Sequence, residues 1–376
     1  MSFTARRKRL LPLVLLAGAI VAGCSNSSST PTTTTSAVVT PGATAIETPP
    51  TATLSETGST LLYPLWNIWV PAYRAKYSQV TINTAGTGSG TGISDAASGT
   101  ADIGSSDAYL SNSQKLATPT LLNIPVAISA QVIAYNVPGV TSHLKLNGKL
   151  LSEIYQGKIT KWNDSAISAA NPGVTLPAIP IVAIHRSDGS GDTFLFTQYL
   201  SKQDASGWGT AVGFGTTVQW PSTPGALAEQ GNGGMVSGCK ATPGCIAYVG
   251  ISYLTELLGD GLHYAELQNG TGSYLLPTSA AVQAEAAYFV PKTPANGTIS
   301  LIDGPATGGY PIINYEYAIV NSKQNASTTA KAIRSVLQWA ISPTHGNSST
   351  YLNRVSFQPL PAKVVAQSAK QIASIQ

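Results

Sequence analysis

Charge is what this chain has least of. Asp, Glu, Lys and Arg together make up 10% of its 376 residues. The formal net charge of +4 is misleading, because Arg6, Arg7, Lys8 and Arg9 supply all of it. Without them 17 basic residues face 17 acidic ones. A balanced chain lacks the basic stripe that non-specific nucleic-acid binding needs, so no nucleic-acid partner is expected. Histidine is also scarce: His143, His185, His263 and His345 show no metal-ligand spacing. His185 reads as a strand-end packing residue rather than a base. No Gly-x-x-x-x-Gly-Lys-Ser/Thr loop occurs, and Gly86-x-Gly88-x-x-Thr91 fails the dinucleotide pattern. A nucleophile elbow is missing too, since Thr87 and Asp188 stand two residues before Ser89 and Ser190. Gly104-Ser105-Ser106-Asp107-Ala108 is only a loose variant of that elbow. These absences weigh against an enzyme and predict neither cofactor nor metal; a binding module is favoured.

The basic cluster precedes the apolar run Leu10–Ala22, which is too short for an ordinary membrane-spanning helix. The two together read as a signal peptide over residues 1–23. It ends in Val21-Ala22-Gly23-Cys24, small residues before a cysteine as in a bacterial lipobox, which would leave Cys24 as a lipid-modified N-terminus. Such an anchor carries more than one acyl chain, enough for stable attachment. Cys239 and Cys245 bracket Lys-Ala-Thr-Pro-Gly and, in an exported chain, read as a disulfide closing a small loop. No histidine lies near enough to make them a zinc site.

Residues 25–53 hold 19 Ser, Thr or Pro and one charge. That composition cannot bury enough apolar area to offset its ordering entropy, so residues 24–53 read as a lipidated tether. Its reach is roughly 30 Å if flexible and about 90 Å if fully polyproline-like. The folded body is expected from Leu54. Leu61, Leu65, Ile68, Trp69 and Tyr73 fall on one helical face. Ser59 or Thr60 suits the cap, Pro64 the first turn, and Pro71 should kink or shorten the helix. Val80–Asn83 and Ala101–Gly104 read as strands, Ile93–Ser98 as a short helix, and Thr328–Ile341 and Pro361–Ile375 as closing amphipathic helices. Alternating strands and helices predict an α/β fold with mainly parallel pairing.

The most informative stretch is Ile184-His185-Arg186-Ser187-Asp188-Gly189-Ser190-Gly191-Asp192-Thr193-Phe194. It sets a permanent cation, a carboxylate and a Gly/Ser loop before a predicted helix. A helix start offers unpaired N–H groups and partial positive charge, and arginine adds a planar fork that matches an oxyanion. Gly58-Ser59-Thr60 and Gly88-Ser89-Gly90 are two further polar loops leading into helices. Three such loops point to a shared small anion.

These residues carry a resemblance. The segments GSTLLYP, GTGSGTGI, ADIGSSDAYL, LSEIYQGKITKWND, HRSDGSGDTFLFTQYLS, GCIAYVGISYL and GYPIINYEYAIV make the chain similar, from about Glu56 to its end, to the phosphate-binding lipoproteins of ABC-type phosphate importers. The mycobacterial form is the nearest in pattern. The resemblance implies a two-lobed type II periplasmic-binding-protein fold, with the cleft between two α/β domains joined by two crossover strands. The domains would be residues 54–130 plus 312–376 and residues 131–311, with crossings near Val126–Ala134 and Gly309–Tyr315.

Carried over residue by residue, phosphate would be contacted by Ser59, Thr60, the Leu61 N–H, Ser89, Asp107, Arg186, Ser190 and the Gly191 N–H, with Asp188 holding Arg186. Leu61 stands where many relatives have phenylalanine. Asp192 stands where threonine is common; it would either face solvent as a helix-start acid or place a second carboxylate on the ligand, which a ligand proton would have to bridge. Implied partners are inorganic phosphate, ABC permease subunits with a cytoplasmic ATPase, and the membrane through the lipid anchor. The body is expected to be monomeric and to sit outside the bacterial cytoplasmic membrane. Open alternatives are the same fold tuned to sulfate, arsenate or molybdate, a secreted phosphate-ester hydrolase, or a surface adhesion protein.

Overall fold

The structure is a computed structural model and describes residues 45–376. The expected signal peptide, Cys24 and the expected tether up to residue 44 lie outside the described residues. The described residues belong to one compact unit. Its first strands are β1 (Ala52–Gly58), β2 (Val80–Gly86), β3 (Ile103–Ser106) and β4 (Leu121–Tyr135). Next come β5 (Lys145–Leu146), β6 (Val182–Arg186), β7 (Leu227–Glu229) and β8 (Cys245–Gly250). The last are β9 (His263–Tyr264), β10 (Glu266–Gln268), β11 (Tyr274–Leu275) and β12 (Ile313–Asn321). The main sheet has the order β2-β1-β3-β12-β4-β8-β6-β7, with β9 on β4; β11, β10 and β5 form a small second sheet.

Pairing in the main sheet is mixed rather than mainly parallel. Its flanks are parallel (β1 with β2 and β3, β6 with β7 and β8), but β12 and β4 join them through antiparallel ladders. The sequence pattern could not separate these cases, because β4 is buried along both faces and shows no polar–apolar alternation. Residues Leu121–Ala130 of β4 pair with β12, whereas Gln131–Tyr135 pair with β8. One strand therefore passes from one half of the sheet to the other. Opposite the Glu316/Tyr317 step β4 carries an extra residue, a bulge next to Pro125. Proline has no N–H to give the ladder, so a bulge is where a central strand tolerates it.

Helix Tyr63–Lys76 buries Leu65, Trp66, Trp69 and Tyr73 and begins with Pro64 in its first turn. It continues through Pro71, so the proline does not shorten it. Both Pro71 and Asn67, whose carbonyl loses its partner, are exposed, so water satisfies the freed acceptor. Helix Ser89–Ser98 starts four residues before the expected Ile93, because Gly88 takes φ 99° and turns the chain directly off β2. The closing helices are Ser327–Ile341 and Ala362–Ala373. The body also starts before Leu54. Ala52 and Thr53 pair in β1, and the Glu47 carboxylate takes two 2.9 Å bonds from Arg334, so residues 47–53, expected in the tether, lie against the body. A disulfide joins Cys239 to Cys245.

Candidate functional site

Parallel strands place the loops after their C-terminal ends on a common edge, where open α/β sheets build their ligand crevices. Here β1 delivers Ser59, Thr60 and Leu61, β2 delivers Ser89, β3 delivers Asp107, and β6 ends on Arg186. Glycine lets the two halves of the sheet meet at this edge. A Cβ on Gly191, the first residue of helix Gly191–Gln203, would lie 2.3 Å from Asp107 Oδ2 and 2.5 Å from Ser89 Oγ. The Gly90 N–H also donates to the Gly189 carbonyl at 2.8 Å.

Asp107 is 2% exposed. Ser59 Oγ donates to its Oδ1 in a short hydrogen bond, Ser89 Oγ donates to Oδ2 at 3.3 Å, and the Asp107 N–H returns to Ser89 Oγ at 3.2 Å. Ser59 Oγ also accepts from the Leu62 N–H at 2.9 Å in the turn before helix Tyr63–Lys76, whose N-cap falls on Leu62 and not on Ser59 or Thr60 as expected. Arg186 is 4% exposed. Its Nε and Nη2 grip both oxygens of Asp188 at 2.7 and 2.5 Å, a fork-on-fork pair, and its Nη1 reaches Asp192 Oδ2 at 3.1 Å. Ser190 Oγ accepts from the Thr193 N–H at 3.1 Å as the helix cap.

Not every expected residue points inward in the same way. Thr60 Oγ1 accepts from the N–H and Nδ2 of Asn232, at 3.2 and 3.0 Å. The Leu61 side chain is buried against Gly250, and its carbonyl accepts from Ser252 Oγ at 2.8 Å. Asp192 does not face solvent. It is fully buried, with Oδ1 bound by Gln131 Nε2 at 3.1 Å and Oδ2 by Asn232 Nδ2 at 2.7 Å as well as by Arg186. A helix-start acid is favoured by the dipole whether wet or dry, so position alone did not distinguish the two. His185 stacks on Trp220, ring centres 4.8 Å apart, as a packing residue would.

A family model described as a PBP superfamily domain matches residues 43–344. The phosphate-binding protein PstS of Xylella fastidiosa is 34% identical over 327 residues, covering 85% of this chain and 86% of that protein. The chain belongs to the PstS phosphate-binding-protein family. Phosphate-binding protein PstS 3 of Mycobacterium leprae is 30% identical over 365 residues, 93% of each chain. Among solved structures, the phosphate binding protein from Stenotrophomonas maltophilia superposes with TM-score 0.63 at 18% identity, covering 85% of this chain and 93% of that one. The fold of this PstS-family chain is accordingly the two-lobed type II periplasmic-binding-protein fold.

Burial sets the electrostatics. It pushes Asp107 up to about 7, and the charge of Asp192 adds to the rise; hydrogen bonds from Glu316 and Ser59 and the charge of Arg186 act the other way. Burial also raises Asp192, against the pull of Arg186, Gln131 and Asn232. Burial opposes ionisation of Asp188, but the hydrogen bonds and charge of Arg186 hold it below the usual carboxylate range. Arg186 is disfavoured by burial, yet Asp188 and Asp192 raise it above its ordinary value.

Three contributors escaped the sequence reading: Gln131, Asn232 and Glu316. Asn232 sits in Gly231-Asn232-Gly233-Gly234 at the start of helix Gly231–Ala241, a fourth polar loop of the kind counted above. Gln131 and Glu316 are polar residues on the buried strands β4 and β12, which was their only sequence signal.

Proposed function

We propose that this protein captures inorganic phosphate outside the cytoplasm and hands it to an ABC permease, tethered to the outer face of the bacterial cytoplasmic membrane through lipidated Cys24. Ser59, Thr60, the Leu61 N–H, Ser89, Arg186, Ser190 and the Gly191 N–H supply donors. Asp107 supplies an acceptor. The observation that carries this reading is the buried Asp107, held against the N-terminus of helix Gly191–Gln203 close to Arg186. A carboxylate there repels an anion unless the anion brings a proton. Hydrogen phosphate brings one near neutral pH and sulfate does not. An uncompensated like-charge contact costs several kcal/mol, enough to discriminate strongly. Asp192 adds a second buried carboxylate, which makes the demand for a protonated guest stricter. Domain closure over the anion would unite residues 54–130 plus 312–376 with residues 131–311.

Calorimetry of the purified protein with phosphate, sulfate and arsenate tests this. Phosphate should bind one per chain, sulfate far more weakly, and phosphate esters should not be turned over. Asp107→Asn should weaken phosphate by roughly tenfold while narrowing the preference over sulfate by about a hundredfold, since an amide can donate to sulfate. An unchanged preference would remove Asp107 from the discriminating role.

A further inference from the structure

Glu316 lies on β12 one step from the bulge opposite β4, and it is fully buried. Its Oε1 accepts from Ser129 Oγ at 2.5 Å and from Asn314 Nδ2 at 3.1 Å. Its Oε2 is buried without a protein donor. Tyr317 pairs with Ser106 across β12 and β3, which sets Glu316 opposite Asp107, and Asn314 Nδ2 joins the two residues, donating to the Asp107 carbonyl at 3.3 Å as well as to Glu316 Oε1. Two buried carboxyl groups so placed cannot both be ionised, so the pair holds a proton.

The donors decide where that proton sits. Each Asp107 oxygen already receives a serine hydroxyl, from Ser59 and Ser89, and Arg186 lies within its field. Glu316 has donors on Oε1 only, Asn314 Nδ2 and the Ser129 hydroxyl that Oε1 shares with Asn314 Oδ1 at 2.6 Å. The proton therefore belongs on Glu316 Oε2, the oxygen left without a donor. Of the other titratable groups around the pair, Arg186 favours the ionised Asp107 and Asp192 opposes it, while Tyr317, next to Glu316 along β12, is kept neutral by burial. Burial and the charge of Asp107 push Glu316 well above the usual carboxylate range.

Building on the phosphate reading above, we propose that Glu316 is a specificity-positioning residue: as a neutral acid it donates to Asp107, fixes that carboxylate's orientation and keeps it an acceptor. Without this donor Asp107 would take up a proton itself, become a donor, and cease to reject fully deprotonated anions. The selectivity filter then spans both strands, with Ser129 on β4 and Asn314 and Glu316 on β12 holding the acid in place.

The test combines anion competition with infrared spectroscopy. Glu316→Leu should let sulfate compete at least tenfold better against phosphate near neutral pH, because Asp107 turns from acceptor to donor. Glu316→Gln keeps a donor on one terminal atom and an acceptor on the other, and should recover most of the preference. The wild-type-minus-Glu316→Gln difference spectrum should show the carbonyl band of a protonated buried carboxylic acid, apart from that of Glu56, which both proteins retain. An unchanged preference in Glu316→Leu, or phosphate and sulfate both binding tighter in Glu316→Gln, would overturn the proposal. So would absence of the acid band. A wild-type protein that shows the band but binds no phosphate would defeat the phosphate reading instead, so the two failures are distinguishable.

Discussion

Replacing Gly191 by alanine separates binding from folding in one atom. The new Cβ would lie 2.3 Å from Asp107 Oδ2, 2.5 Å from Ser89 Oγ and 2.6 Å from Asp107 Cβ. Neither neighbour can swing away freely, since both are buried and bonded to each other, and Asp107 is bonded to Ser59 as well. Overpacking of this kind costs roughly 1–3 kcal/mol. The whole cost falls on the state in which the loops after β3 and β6 face each other. At about 1.4 kcal/mol per decade, phosphate affinity should drop by roughly thirtyfold. Folding should behave in the opposite sense. Gly191 opens a helix with ordinary negative φ, where alanine is the better helix former by up to about 1 kcal/mol. Calorimetric titration should therefore show the weakened affinity, while the melting temperature without phosphate stays level or rises. If Gly191→Ala binds phosphate within about threefold of wild type, the close approach of Asp107 to this helix start is not part of the binding geometry.

Two further outcomes follow from other parts of the molecule. Glu56 is buried on β1 with Oε2 unpaired, and burial lifts it from 4.5 to about 8. Its folded-state value lies above its unfolded one, so it costs nothing below pH 4.5, and the cost grows up to about pH 8 and is complete beyond it. Glu56→Gln should accordingly raise stability by about 2 kcal/mol at the alkaline end of that range and leave it unchanged at the acid end, as read from urea unfolding across pH. Cys24→Ala should move the protein from the membrane fraction to the soluble extracytoplasmic fraction, and retention on the membrane would refute the lipid anchor.

What could be read from the sequence was whatever the chemistry writes locally. The Arg186–Asp188 fork is two residues long and lies within one loop, so its partners were visible side by side. Ser59, Ser89 and Ser190 announced themselves through glycine neighbours and the helices that follow. The rest depended on pairings between distant segments. Asn232 meets Asp192 across 40 residues, Gln131 meets it across 61, and the Ser129–Glu316 bond spans 187. No periodicity encodes such partners. In β4 and β12, Ser129, Gln131, Asn314 and Glu316 lie on buried strands, and a polar residue inside a buried strand is itself the signal, since it must find a partner there. The antiparallel centre of the sheet was hidden for the same reason, because a strand buried on both faces looks alike in either direction.

The polar groups also explain how an electrically balanced body can hold an anion without a basic surface. Asp188 cancels Arg186, and Asp192 is already satisfied on both oxygens by Gln131, Asn232 and Arg186. Asp107 differs, because its donors apart from Glu316 are the hydroxyls of Ser59 and Ser89. A hydroxyl turns about its C–O bond at little cost and can donate to either of two neighbours. Under the proposed function, an arriving hydrogen phosphate gives its own proton to Asp107 and frees both serines to turn toward its oxygens. The number of satisfied groups is then preserved through binding. Sulfate brings no proton, so the same rotation would strip Asp107 of its serine donors while setting a second negative charge beside it. Selectivity on this account comes from where protons can go, and the field of the whole protein contributes little to it.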